Sequence, residues 1–280
     1  MDRADEIFLR VRSLGLSELI GLASADPKSD LGEAAICELQ VRGGLDVLEA
    51  ALALVEDNAS PTRRSAGAWV LTQLGAAAGA FDHEAGKALV RLLGDPDPGV
   101  LAAACNGVGR RLKDRAVGLL LPFRDHSEAI VRFHVAIGLQ QATSREAAEA
   151  LLPLMRDGNR DVRDWATFGV GSILDEHDFP ALREALAARL ADDDAEVAME
   201  AIAGLALRKD PRGLAALEKI LARDSSEVMA GHLHACAELG EPSLLPALRA
   251  LQGATATDDN AYWKSSLDDA IAACEVAGGR

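Results

Sequence analysis

Apolar residues recur along the chain at the spacing of amphipathic helices, and short polar turns interrupt them at regular intervals. Each turn carries Asp or Asn, often with Ser or Pro, and an Ala-, Gly- and Leu-rich stretch of about 14 residues follows it. Apolar spacings of three and four predict α-helices rather than strands. The turns predict helix starts, because Asp, Asn and Ser side chains accept from free N–H groups and Pro fits the first helical turn.

The turns also define an internal repeat. Successive turns begin roughly 30 to 37 residues apart, which is the length of two helices and two turns. The seven turns begin at Asp26, Asn58, Asp95, Asp125, Asp157, Asp192 and Asp224. Each repeat therefore contains a post-turn helix and then a Leu-rich pre-turn helix that ends at the next turn. Pro122 and Pro153 fall inside pre-turn helices and predict kinks there.

Two segments, IVRFHVAIGLQ and DVRDWATFGVGSIL, resemble the Asp and Val-Arg signature of HEAT repeats, in the bacterial form related to phycobilisome-lyase repeats. In the second segment Asp157 lies six positions before Arg163. The resemblance covers about residues 26–252. It implies an all-α fold, a right-handed α-α superhelix (solenoid) of about seven HEAT-type helical hairpins.

The resemblance also implies that the signature Arg joins a ladder of Asp residues between neighbouring repeats. This Arg is present as Arg64, Arg132 and Arg163. At the equivalent place in the other repeats stand Gly32, Leu101, Ala198 and Met229. The terminal repeats are therefore expected to lack the ladder.

The repeats predict one solenoid over residues 1–280. Residues 1–25 are expected to form an N-terminal cap, residues 26–252 the repeats and residues 253–280 a C-terminal capping helix. Such caps cover the exposed ends of a repeat stack.

Charge and composition narrow the class of partner. The chain has 29 basic and 44 acidic residues, a formal net charge of −15, so its average field repels phosphate and favours a basic protein or peptide. Solubility alone is the other explanation of this charge. The four cysteines are far apart and no apolar run could span a bilayer, which predicts reduced, buried thiols in a cytoplasmic, non-membrane protein.

The resemblance implies that the post-turn helices line the concave face of the solenoid. In the pattern V-R-x-x-A-A-x-A-L-G, the x positions are expected to point outward, because residues three and four apart share one helix face. Aligned repeats give a predicted partner-binding set of Trp69, Asn106, Phe133, His134, Ile137, Asp164, Trp165, Phe168, Glu200 and His234.

Exposed aromatic residues in this set would be candidates for interface hot spots, because only ten aromatic residues (six Phe, three Trp, one Tyr) occur in the chain. Asp164, Glu200 and Glu33 would give them a negative rim, which suits a partner with basic and apolar anchors. The alternative is that these rings pack on adjacent helices as ordinary core.

Catalytic chemistry is not predicted. One His-Glu pair, at His83, is fewer than the several pairs used by HEAT-repeat iron hydroxylases. Residues 175–178 (DEHD) could ligate a metal, but four consecutive residues fit a solvated loop better. Trp165 beside Asp164 resembles HEAT-like DNA glycosylases, which need a basic groove. One compact basic run is present, at Arg110, Arg111, Lys113 and Arg115, but the large acidic excess of the chain outweighs it. A basic nucleic-acid groove is therefore not predicted.

The prediction is therefore a non-catalytic scaffold, without cofactor or metal, that binds a protein or peptide and no nucleic acid or membrane. One alternative is an inhibitor or immunity protein for a basic toxin or nuclease. Another is an accessory enzyme that resembles phycobilin lyases or HEAT-like DNA glycosylases.

Overall fold

The computed structural model describes residues 3–76, 79–255 and 260–278. Within these ranges all regular structure is helical, as predicted. The chain divides into two compact units, Met1–Ala147 (unit 1) and Ala148–Arg280 (unit 2). Parts of the two predicted caps, at residues 1–2, 256–259 and 279–280, lie outside the described residues.

Unit 1 contains nine α-helices within its described residues, and a tenth crosses the boundary. These are α1 (Arg3–Arg12), α2 (Leu16–Ala25), α3 (Asp30–Arg42), α4 (Leu45–Val55), α5 (Pro61–Gln73), α6 (Asp82–Leu92), α7 (Pro98–Leu112), α8 (Val117–Leu120), α9 (Ala129–Leu139) and the boundary helix α10 (Arg145–Leu151).

Unit 2 contains seven further α-helices within its described residues. They are α11 (Arg160–Phe168), α12 (Pro180–Ala187), α13 (Ala195–Leu207), α14 (Pro211–Leu221), α15 (Ala230–Leu239), α16 (Leu245–Ala254) and α17 (Ala261–Gly278). A π-helical segment, Gly169–Ile173, continues α11. The seven-hairpin prediction agrees with this arrangement, and the predicted N-terminal cap also contributes α2, which packs on α3.

The post-turn helices pack side by side and form one layer in each unit. In unit 1, α5 packs along α7 and α7 along α9. In unit 2, α13 contacts both α11 and α15, and α15 contacts α17. We call the outer side of this layer the post-turn face, and the pre-turn helices lie behind it.

Polar turn residues cap five of the post-turn helices as predicted, whereas α9 and α15 begin without such a cap. The Ser29 and Ser60 hydroxyls accept from the N–H groups of Gly32 and Arg63. Three further caps are carboxylate or amide oxygens, on Asp97, Asn159 and Asp194. These bonds satisfy N–H groups that have no partner inside the helix, so the regular turns set the helix starts.

Both predicted kinks are present. Helix α8 gives way to a 3-10 turn, Leu121–Phe123, around Pro122. Helix α10 ends two residues before Pro153, and a 3-10 turn, Leu154–Arg156, follows. Proline causes both breaks because it lacks an N–H group and its ring clashes with the preceding helical turn.

Glycine permits close packing between post-turn helices. A Cβ atom on Gly109 of α7 would lie 2.3 Å from the Cα atom of Gly138 in α9. In unit 2 a Cβ atom on Gly204 would lie 2.7 Å from the Cα atom of Gly171. Both distances are too short for real atoms, so a side chain at either site would force the helices apart.

The implied Arg–Asp ladder is present in both units. Arg64 donates to both carboxylate oxygens of Asp95, at 2.6 and 3.0 Å, and to the carbonyl of Asp57. Arg163 donates to Asp192 at 3.0 Å and to the carbonyl of Asp157. Each guanidinium thus joins its own turn to the turn of the next repeat, about 30 residues later.

The cysteine prediction needs one correction. Cys105, Cys236 and Cys274 are buried free thiols, as expected, but Cys37 is exposed. Cys37 lies on the outward side of α3, between Ile36, which packs inward, and Glu38. The helical pattern predicted that Cys37 lies in a helix, but it did not show that the thiol is on the exposed side of that helix.

Candidate functional site

Four of the predicted site residues meet on the post-turn face of unit 1. Trp69 of α5 and His134 of α9 pack edge to face, with ring centroids 5.2 Å apart. Phe133 packs on the other side of His134 at 5.0 Å. The amide nitrogen of Asn106 in α7 lies 3.3 Å from Nδ1 of His134. We call these four residues the unit 1 cluster.

The unit 1 cluster is half-buried rather than fully exposed. Trp69, Phe133, His134 and the neighbouring Ile137 all have intermediate exposure. Burial lowers the pKa of His134 to about 4, with a smaller contribution from the Lys28 ammonium group. The imidazole is therefore neutral at pH 7 and contributes aromatic surface rather than charge.

Unit 2 carries a second aromatic pair on its post-turn face. Trp165 and Phe168 of α11 pack edge to face, with ring centroids 5.9 Å apart. Trp165 is 38% exposed, whereas Phe168 is half-buried. With Asp164 of α11 and Glu200 of α13, these residues form what we call the unit 2 cluster.

The two carboxyl groups of the unit 2 cluster have raised pKa values. Burial raises the pKa of Asp164, and the negative charges of Glu196 and Asp194 add to the shift. Burial also raises the pKa of Glu200 to about 7, and the charges of Asp164 and Glu196 act in the same direction. The Ser172 hydroxyl, 3.3 Å from Glu200, opposes this shift. A cation brought to this cluster would therefore be attracted to carboxylates that the fold leaves poorly compensated.

His234 is exposed at the other end of the post-turn layer of unit 2. Its Nε2 lies 3.0 Å from the Ser266 hydroxyl, and its ring packs against Tyr262 at 5.7 Å. His232, two positions earlier, is buried, which confirms that the two histidines point to different faces. Tyr262 is 64% exposed and was absent from the predicted set, because it lies in the last helix, outside the aligned repeats.

Two residues of the acidic segment 175–178 are engaged in structural contacts. Asp178 forms a two-point ion pair with Arg183, with both distances 2.6 Å, and the carbonyl of His177 accepts from Arg208. Within the described residues, no three His, Cys, Asp or Glu side chains converge to hold a metal. Of the basic run, Arg111 has a fully buried side chain that pairs with Asp82.

Sequence reasoning missed the structural role of two buried arginines. Arg111 donates to the carbonyls of Leu71 and Leu74 at the end of α5 and to that of Ala80, just before α6. Arg208 donates to five carbonyls, and they belong to Val170, Gly171, Leu174, His177 and Gly204. Both residues follow the apolar part of a post-turn helix. From sequence alone, a single Arg at such a position is predicted to be a solvent-exposed residue at the end of the helix.

These observations identify a class of protein. The family model for HEAT repeats matches residues 86–171 and 183–267, which is more than half of the chain. The chain therefore belongs to the HEAT-repeat family. Every helix formed by the described residues is too short or too polar to cross a membrane.

Individual relatives agree with the family. The chain is 29% identical over 238 residues to Protein YibA of Escherichia coli strain K12, which covers 82% of each protein. Protein YibA of Escherichia coli O157:H7 matches with the same identity and coverage. The crystal structure of Escherichia coli YibA matches with a TM-score of 0.73 and 27% identity, over 96% of this chain and 97% of that one. The all-α, HEAT-type solenoid class predicted from the sequence is thus confirmed.

Proposed function

We propose that the chain is a non-catalytic scaffold that binds a partner protein or peptide on its post-turn face. The observation that carries this proposal is the unit 2 cluster, where a 38% exposed Trp165 packs on Phe168 beside the carboxyl groups of Asp164 and Glu200. Large aromatic side chains supply much of the binding energy in protein interfaces. The cluster offers such a side chain together with negative charge.

The partner that fits this surface has a basic side chain next to an apolar one. Lys or Arg would pair with the carboxylates and could also lie over the indole ring of Trp165. The net charge of −15 would accelerate the encounter with a basic partner. The unit 1 cluster is a second, half-buried aromatic surface of unit 1.

The same charge supports a second candidate, an inhibitor or immunity protein that covers a basic toxin or nuclease. Its distinguishing property is rapid association that slows steeply as salt is added. For both candidates we propose the cytoplasm as the location, supported by four unpaired cysteines.

Affinity purification from the native host tests the scaffold proposal. The comparison uses wild type, the double variant Trp165→Ala/Phe168→Ala and the matched control Phe8→Ala, which removes a 45% exposed aromatic side chain from α1. We expect wild type and Phe8→Ala to recover the same proteins and the double variant to lose them, with helical content unchanged by circular dichroism. Recovery of the same proteins by all three would exclude this site.

A further inference from the structure

A cavity of about 520 Å³ opens in unit 2 between α13, α14 and the turn before α15. Its walls include Ala198, Ile202, Ile220 and Met229, and His232 also lines it. A volume of this size is within the range of small-molecule binding sites, which are mostly apolar with a few polar groups. Glu200 of the unit 2 cluster is also on α13, but it does not line this cavity.

The cavity lies where a ladder arginine is missing. Arg163 bridges its own turn and the turn that begins at Asp192. Ala198 stands at the equivalent place in the next repeat and has only a methyl group, so it cannot bridge to the following turn as Arg163 does. That turn is held from the other side, because Nε1–H of Trp263 donates to the carbonyl of Val228 at 2.7 Å. The space between the two turns therefore stays open.

The carboxylates at the cavity already have cationic partners. Asp192, whose side chain is 3% exposed, is paired with Arg163 and Arg189. Asp193 is paired with Arg163 as well. Glu227 is paired with Arg223 at 3.0 Å. These arginines compensate the negative charges, so the carboxylates do not favour a cationic ligand in the cavity.

Two hydrogen-bond donors at the cavity have no partner within the part of the chain that the structure describes. His232 is only 3% exposed, and its Nδ1 accepts from the backbone N–H of Met229 at 3.1 Å. The ring proton therefore sits on Nε2, and this N–H has no acceptor among the described residues. Lys219 lines the same cavity and has no carboxylate partner there.

We propose that this cavity binds an apolar molecule or chain end that carries one carboxylate. The carboxylate would accept from Nε2–H of His232 and pair with the Lys219 ammonium group. The apolar body would lie against Ile202, Ile220 and Met229 and take the place left open by Ala198. Because burial lowers the pKa of His232 to about 4, the ring stays a neutral donor at pH 7. This site does not depend on the function proposed above.

Calorimetric titration of the full chain tests the proposal. Octanoate is compared with octylammonium, which has the same apolar chain and the opposite charge. An apolar peptide with a free C-terminus is compared with its C-terminal amide. We expect octanoate, the free peptide or both to bind, and octylammonium and the amide to bind at least about ten-fold more weakly. Binding of octanoate would indicate a small apolar acid as the ligand, and binding of the free peptide would indicate the C-terminus of a polypeptide chain.

Two variants place the binding in the cavity. Ala198→Arg should remove binding, because the new side chain fills the space and can pair with the next turn, as Arg163 does. Lys219→Ala should weaken binding about ten-fold, whereas the control Lys28→Ala, an exposed lysine of unit 1, should not. The proposal is wrong if neither acid binds, if octylammonium binds as tightly as octanoate, or if Ala198→Arg, with its helical content intact, still binds the acid.

Discussion

At the scale of single residues, two tryptophans of unit 2 differ in what surrounds them. Trp165 is 38% exposed and packs on Phe168. Trp263 is 8% exposed, belongs to the core of unit 2 and donates to the carbonyl of Val228. The first is placed to contact a partner, and the second is placed to hold the fold.

Their alanine variants should therefore differ in stability. We expect Trp263→Ala to lower the free energy of unfolding by about 3–5 kcal/mol, since it leaves a cavity and an unpaired carbonyl, and Trp165→Ala to lower it by about 1–2 kcal/mol. Urea denaturation of both variants measures this. Equal losses would mean that Trp165 is a core residue and not part of a binding surface.

Glu200 should make stability depend on pH. Burial raises its pKa to about 7 in the folded chain, against about 4.3 for an unperturbed Glu. The folded state thus favours the protonated form. The resulting stability is complete below about pH 4 and is lost as the pH rises through about 7.

Glu200→Gln should remove this dependence, because the amide resembles the protonated carboxyl group. We expect the variant to be more stable than wild type at pH 8 by about 1–2 kcal/mol, after allowance for the partial exposure of the carboxyl group, and the gain to disappear towards pH 4. Urea denaturation of both proteins across this pH range is the measurement. A gain that does not change with pH would show that Glu200 does not titrate in this range.

At the scale of helices, arginines join α11 to its neighbours in two ways. Arg163 near the start of α11 reaches a carboxylate of the next turn. Arg208 at the end of α13 reaches backward to carbonyls at the end of the π-helical segment that continues α11. The second contact satisfies C=O groups that a helix end leaves without partners. Both ends of the helix are thus tied to the stack.

Arg208→Ala should be strongly destabilising. It leaves up to five carbonyls without this donor, four of them buried, which costs about 3 kcal/mol or more. Arg212→Ala is the control, since Arg212 pairs with Asp210 and Glu184 and is more exposed. Thermal unfolding should show a clearly larger loss for Arg208→Ala, and similar losses would contradict the structural role of Arg208.

At the scale of the whole molecule, the sequence predicts one solenoid over residues 1–280, whereas the contacts group the chain into units 1 and 2. Repeats contact mainly their neighbours, so their stabilities add along the stack. If the stack is continuous, both units should unfold together.

Tryptophan fluorescence can follow each unit separately. Trp165→Phe/Trp263→Phe leaves Trp69, which reports on unit 1, and Trp69→Phe leaves two tryptophans that report on unit 2. We expect each variant to give a fluorescence transition that coincides with its own circular dichroism transition, since neighbouring repeats of the predicted single stack would stabilise each other. In either variant, a fluorescence midpoint that departs from the circular dichroism midpoint would indicate two independently folding domains.

The resemblance to HEAT repeats implied the ladder that Arg163 forms. The sequence by itself determined the helices, most of their caps and the kinks at Pro122 and Pro153. These features follow from local residue types and from a repeat spacing that can be counted along the chain. Only the tertiary structure decided that Trp165 is exposed while Trp69 is half-buried, that Cys37 faces outward, and that Arg208 caps another helix. It also decided that an open cavity lies where Ala198 stands in place of the signature arginine. The reason is physical: exposure, cavities and caps between helices depend on how residues about 30 positions apart approach each other, and the pattern along one helix does not contain those distances.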